Sequence, residues 1–191
     1  MKRMTRRFLA AGAAAAVVAS VAVPASAADT APKRDLAVSY AVSGAKIPGY
    51  PGLVTLRLTN AGTDRYYGEF PLVTFEVKII TAKGPQGVNR NIGTRSFHGS
   101  HVEDLGFDEA TSTHTYRVIL SNPVERGTKG MNIAGFYFGI GATREGRVIQ
   151  KIVTTQKGRL PGDTPNANDQ NVDSTVAGNT HTNFGKPTGL F

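Results

Sequence analysis

Between residues 53 and 60 the chain alternates with a period of two: Val54, Leu56 and Leu58 fall on one side, Thr55, Arg57 and Thr59 on the other. That is the pattern of a β-strand with one dry and one wet face. Val73, Phe75, Val77 and Ile79 repeat it against Thr74, Glu76 and Lys78. His114, Tyr116, Val118 and Leu120 do so against Thr115, Arg117 and Ile119, where the isoleucine blurs the wet side. Segments 35–42, 131–141 and 147–155, rich in β-branched and aromatic residues, complete a predicted set of six strands.

Turn signals separate these runs: Ile47-Pro48-Gly49-Tyr50-Pro51-Gly52, Asn60-Ala61-Gly62-Thr63-Asp64, Lys83-Gly84-Pro85-Gln86-Gly87 and Ser121-Asn122-Pro123. Beyond the N-terminal segment no helical stripe appears. Antiparallel strands with one dry face each must stack in pairs to hide those faces, so the pattern predicts an all-β, antiparallel two-sheet sandwich. The most apolar run, Gly135-Phe136-Tyr137-Phe138-Gly139-Ile140-Gly141, reads as a central strand buried on both sides. The alternative is an aromatic platform for a sugar or peptide.

The N-terminus reads as an address rather than as part of the fold. Lys2, Arg3, Arg6 and Arg7 form a basic region, residues 8–23 an uncharged Ala- and Val-rich core, and Pro24-Ala25-Ser26-Ala27 a signal-peptidase site. Residues 1–27 are therefore expected to be a signal peptide, 28–157 the sandwich, and 158–191 a polar, partly ordered C-terminal segment. Thr5-Arg6-Arg7-Phe8-Leu9 resembles a twin-arginine signal, but general secretory export is the simpler expectation. No second hydrophobic stretch would hold the processed chain in a membrane.

Removing that leader changes the charge. The full chain has 22 Lys and Arg against 14 Asp and Glu, and four of the basic residues leave with the leader. The modest excess that remains disfavours nucleic-acid binding, for which no recognition motif is present either. Arg144, Arg147, Lys151, Lys157 and Arg159 gather around the last predicted strand, as edge-strand protection or as a weak attraction to anionic wall polymers. Cysteine is absent, which excludes disulfides, thiol nucleophiles and thiolate metal sites.

Candidate chemistry is sparse. Phe97-His98-Gly99-Ser100-His101 leads into Glu103, Asp104, Asp108 and Glu109. The two histidines suggest zinc, but an H-x-x-H pair shares a face only in a helix, and Gly99 and Gly106 argue for a solvated loop. The carboxylates Glu103, Asp104 and Asp108 would suit calcium. Asp169, Asn171 and Asp173 match the D-x-N-x-D opening of a calcium loop, but Ser174 and Thr180 stand where that loop needs Gly and a bidentate carboxylate. No nucleophile elbow or phosphate loop is present, and Ser100 lacks an activating context, so catalysis is not expected. Leu160-Pro161-Gly162-Asp163-Thr164 departs from a wall-sorting signal and reads as a turn. Phe184, Leu190 and Phe191 end an otherwise polar tail. Phe184 and Phe191 would either dock on the domain or present a motif to a partner.

Two segments carry a resemblance to a known family. Residues 54–62, a strand running into Thr59-Asn60-Ala61-Gly62, and the Asp/Asn-rich loop Asp163-Thr164-Pro165-Asn166-Ala167-Asn168-Asp169 are similar to those of bacterial immunoglobulin-like surface modules. In the first, Asn60 would cap the corner with its side chain and Gly62 would take a left-handed conformation. The resemblance implies an immunoglobulin-like, extracellular, non-catalytic module, and covers about a third of the processed chain. The expected function is binding, at the cell surface or in the medium, to a protein or a cell-wall polymer. An exported inhibitor or substrate of a secreted enzyme, and a small metal-dependent hydrolase, are the alternatives. No cofactor is expected, a calcium ion being the one alternative to none.

Overall fold

A computed structural model describes residues 32–42, 53–81, 92–138 and 149–182. All belong to one compact unit beginning at Ala31. The signal-peptide segment, Arg144, Arg147, Phe184 and Phe191 lie outside them. The described residues form ten strands and no helix. They are β1 Leu36–Val42, β2 Leu53–Asn60, β3 Val73–Thr81, β4 Ile92–Ser96, β5 Ser100–Asp108, β6 Thr113–Leu120, β7 Met131–Phe138, β8 Ile149–Gly158, β9 Val172–Asp173 and β10 Thr180–Thr182.

Two five-stranded sheets result, in the orders β10-β1-β2-β7-β4 and β5-β6-β3-β8-β9. Every pairing is antiparallel except β1 with β10. The alternation read from the sequence turns the dry faces together. Leu36, Val38, Tyr40 and Val42 of β1, Val54, Leu56 and Leu58 of β2, and Phe136 and Phe138 of β7 face inward. From the other sheet come Val73, Phe75, Val77 and Ile79 of β3 with Tyr116, Val118 and Leu120 of β6, and all are buried in one core. Burial of these side chains stabilises the fold by roughly 1.5–3 kcal/mol each, with no covalent link assisting them. The aromatic run thus packs in the core rather than forming a platform, at least through Phe138.

One element differs from the sequence-based expectation. Residues 97–109 do not form a free loop. Phe97-His98-Gly99-Ser100 is a tight turn, with Ser100 N–H on Phe97 O at 3.0 Å and positive φ at both His98 and Gly99. It delivers β5 to the second sheet. β5 was obscured because it is an edge strand whose contact with the core is limited to half-buried Val102, too little to impose an alternating pattern. Of the C-terminal segment, expected to be polar and partly ordered, the described residues run through Thr182. They supply β9, β10 and the buried residues Asp163, Asp169, Val172 and Ser174.

The Asn60–Gly62 corner is built as expected in one half only. Asn60 Oδ1 accepts from Gly62 N–H at 3.0 Å, and its Nδ2 donates to Asp64 O and Val124 O at 2.9 and 3.1 Å. Gly62, however, is not left-handed. A Cβ there would stand 2.5 Å from Lys33 O and 2.9 Å from Asp35 N, so glycine is required by close backbone approach. Residues 160–163 do form a turn, Asp163 N–H on Leu160 O at 3.1 Å, with Gly162 at φ 85°.

Candidate functional site

The densest polar convergence lies where the C-terminal segment closes one side of the sandwich. Asn168 O accepts from Val38 N–H of β1 at 2.8 Å, and the next carbonyl, Asp169 O, accepts from Gln156 N–H of β8 at 2.9 Å. Consecutive residues therefore tie the two sheets together. That geometry turns Asp169 and Asp163 inward, beside Asp35 at the entry to β1. All three carboxyls are buried, with donor atoms within 4.8 Å of one another. Among the described residues it is the one such convergence of acidic or histidine groups.

The three acids are not equivalent. Arg159 grips Asp169 with both terminal nitrogens, at 2.6 and 2.8 Å, and reaches Asp163 Oδ1 at 3.1 Å. Asp163 Oδ2 accepts from Tyr66 Oη–H and Gln156 Nε2, each at 2.7 Å. Asp169 Oδ1 also accepts from Asn166 N–H and Gln170 Nε2. Asp163 thus accepts three hydrogen bonds and Asp169 four from protein donors, so a cation would have to compete with Arg159 for them. Asp35 receives a single amide group, Asn168 Nδ2, at 3.1 and 3.2 Å to its two oxygens. Burial, with the nearby Asp163 and Asp169 charges, raises its pKa above the ordinary value despite Asn168 and Arg159. Tyr66 is held neutral, pushed up chiefly by burial.

The residues singled out for metal chemistry are dispersed. Glu103 pairs with Arg117 at 2.9 Å. Asp104 accepts from His114 Nε2 at 2.6 Å. Burial alone would raise its pKa, but that bond, Gly106 N–H and the histidine charge hold it below the ordinary range. Asp108 accepts from Ala110 N–H and Thr111 Oγ1. Of Asp169, Asn171 and Asp173, only Asp169 joins the carboxyl group. Asn171 Oδ1 accepts from Thr155 Oγ1 at 3.1 Å, and Asp173 pairs with Lys151 at 2.9 Å. His98 Nδ1–H donates to Asn132 O at 2.7 Å, while Ser100 Oγ donates to Ile133 O and accepts from Phe97 N–H. Both side chains serve to dock the β4–β5 turn against the bulged stretch of β7, where Ile133 has no partner residue in β2. Exposed His101 is not drawn into this arrangement.

The described members of the basic run are likewise engaged. Lys151 binds Asp173, Lys157 lies 3.6 Å from Glu76, and Arg159 sits in the carboxyl network. β8, which carries Lys151 and Lys157, is flanked by β3 and β9 rather than standing at an edge.

A second feature escaped the periodicity altogether. The connection between β2 and β3 exposes Phe70 at 74% and Tyr67 at 58% of their surfaces. Its base is fixed: Tyr66 pairs with Val124 through backbone bonds of 2.9 and 3.0 Å, and Gly68 lies flush on the Leu160 side chain. Arg65 lies 4.9 Å over the Tyr67 ring while binding Glu125 at 2.7 Å. The sequence signal was Tyr66-Tyr67-Gly68-Glu69-Phe70-Pro71, three aromatics in a turn-rich stretch outside any alternating run. No protein-family model and no curated protein matches the sequence.

Proposed function

We infer that the protein is an exported, non-catalytic interaction module that binds a protein or wall polymer outside the cytoplasm. The observation that carries this reading is the pair Tyr67 and Phe70, two large aromatic side chains held in solvent on an anchored loop. Isolated apolar residues on a surface are ordinary, but aromatics are favoured binding anchors because they bring large contact area at little conformational cost. Export is supported by the basic, apolar and small-residue sequence of the leader. Kinship with bacterial immunoglobulin-like surface modules draws on the Asn60–Gly62 corner and the two-sheet architecture. The polar groups of Ser100 and His98 are engaged with backbone carbonyls, which accords with a role that needs no nucleophile.

Cosedimentation with purified cell walls and pull-down from culture supernatant test this reading, using the processed chain and its Tyr67→Ala and Phe70→Ala variants. Capture by the native chain that falls at least tenfold in either variant, with melting unchanged, is the expected result. Equal capture by all three proteins would remove the loop as the binding element.

A further inference from the structure

Asp35 and Asn168 present a mismatch of donors and acceptors that one proton resolves. Asn168 Nδ2 spans both carboxyl oxygens of Asp35, at 3.1 and 3.2 Å. The other half of that carboxamide, Oδ1, is buried and accepts no hydrogen bond from the described residues. A carboxylate has acceptors only and can do nothing for it, whereas a carboxylic acid has a hydroxyl to donate. With Asp35 neutral, one of its oxygens still accepts from Asn168 Nδ2, and its hydroxyl becomes the donor that Asn168 Oδ1 lacks once the carboxamide turns from its place astride both oxygens. Two reciprocal bonds then close a ring, and the orphaned oxygen is satisfied.

The surrounding charge favours the same state. The charged groups acting on Asp35 are Asp163, Asp169 and Arg159. Arg159 is engaged with the other two acids, so ionised Asp35 would add a second uncompensated negative charge at a buried site. Tyr66, which faces the group through Asp163, is neutral and brings no positive charge. Of the preceding cations, Lys33 is exposed and Arg34 donates to Pro161 O at 2.7 Å.

The geometry points to Asp35 as a proton-binding site, a neutral acid paired reciprocally with Asn168, which fastens the start of β1 to the C-terminal segment and loosens when the proton leaves. Asn168 is also the residue whose carbonyl binds Val38 of β1, so the proton acts at the closure between the sheets. The sign follows from linkage. The folded state holds this proton more tightly than the unfolded chain, so its contribution is complete below the unfolded carboxyl pKa. It is lost as pH rises towards the folded value, by up to about tenfold in the folding constant per pH unit.

Carboxyl 13C NMR of aspartate-labelled protein tests this, with the resonance assigned through Asp35→Asn, alongside melting as a function of pH. Asp35 is expected to titrate above the other aspartates, and native melting to fall across the same interval. Asp35→Asn supplies an uncharged amide in place of the acid and is expected to remain folded without that fall. Asn168→Ala should cost more at acid than at neutral pH. An Asp35 resonance already ionised at the ordinary carboxylate pKa would overturn the assignment, and should Asp35→Asn fold poorly the resonance is assigned through backbone connectivities of the native chain. Calcium that raises native melting at neutral pH but not that of Asp35→Asn would equally overturn it, placing a divalent cation where the proton is assigned.

Discussion

Arg159 meets Asp169 fork to fork, its two terminal nitrogens 2.6 and 2.8 Å from the two carboxylate oxygens, with the acid wholly buried and the guanidinium nearly so. Such a planar pair is specific to arginine, whose geometry matches the carboxylate and whose charge cannot be discharged. It joins the end of β8 to the loop that bridges both sheets. Arg159→Met would leave Asp169 and Asp163 buried without their cation, and should cost about 3 kcal/mol in denaturant unfolding. Arg159→Lys keeps the charge without the fork and should fall between the two. A loss under about 1 kcal/mol for Arg159→Met would mean that the acids find solvent or protons readily.

Tyr40 makes the corresponding tie lower in the sandwich. Its hydroxyl lies 2.8 Å from Thr154 Oγ1 and donates to Val172 O at 2.7 Å, linking β1 of one sheet to β8 and β9 of the other. Tyr40→Phe keeps the ring in the core and leaves the Val172 carbonyl unpaired at that side. The expected cost is about 1–2 kcal/mol, read as a lower denaturation midpoint with unchanged slope.

The sandwich was legible because burial has a period in a strand. β3 displays it in four consecutive inward residues, Val73, Phe75, Val77 and Ile79, and all four are buried. β5 offers no such record, since an edge strand exposed along most of its length has too little contact with the core to impose alternation. The carboxyl network was invisible for a different reason. Asp35 and Asn168 are 133 positions apart, and nothing local distinguishes an acid that will be buried from one that will be solvated. The nearest clue was Arg159 four residues before Asp163 in an Asp/Asn-rich segment. That composition supports a polar loop and a buried ionic lock equally well. Only the closure of β1 against β8 decides between them.

Acid pH acts on Asp173 in the direction opposite to Asp35. Burial would raise the Asp173 pKa, but Lys151 and the Thr175 N–H and hydroxyl together hold it below the ordinary value. Its contribution is therefore present above the unfolded carboxyl pKa and lost as pH falls through the folded one. Lys151 is partly exposed, so the pair is worth under about 1 kcal/mol. Asp173→Asn should flatten the acid limb of the stability profile below about pH 4 and leave the neutral region nearly unchanged. An acid limb identical to the native one would show that Asp173 is paired in the unfolded chain as well.

Gly62 separates two reasons for a corner glycine by a single substitution. If left-handed backbone were the requirement, Asn would be tolerated better than Ala, because asparagine enters that region more readily. The observed requirement is space: Lys33 O and Asp35 N stand within 3 Å of any Cβ. Both Gly62→Ala and Gly62→Asn must then push the segment leading into β1 away from the corner. That shift strains the backbone bonds by which Asp35 O accepts from Ala61 and Gly62 N–H, at 2.9 and 3.1 Å. Each variant should lose about 1–3 kcal/mol by denaturant unfolding, with the larger side chain no better than alanine. Asparagine rescuing what alanine loses would restore the conformational explanation and place the strain in φ rather than in contact.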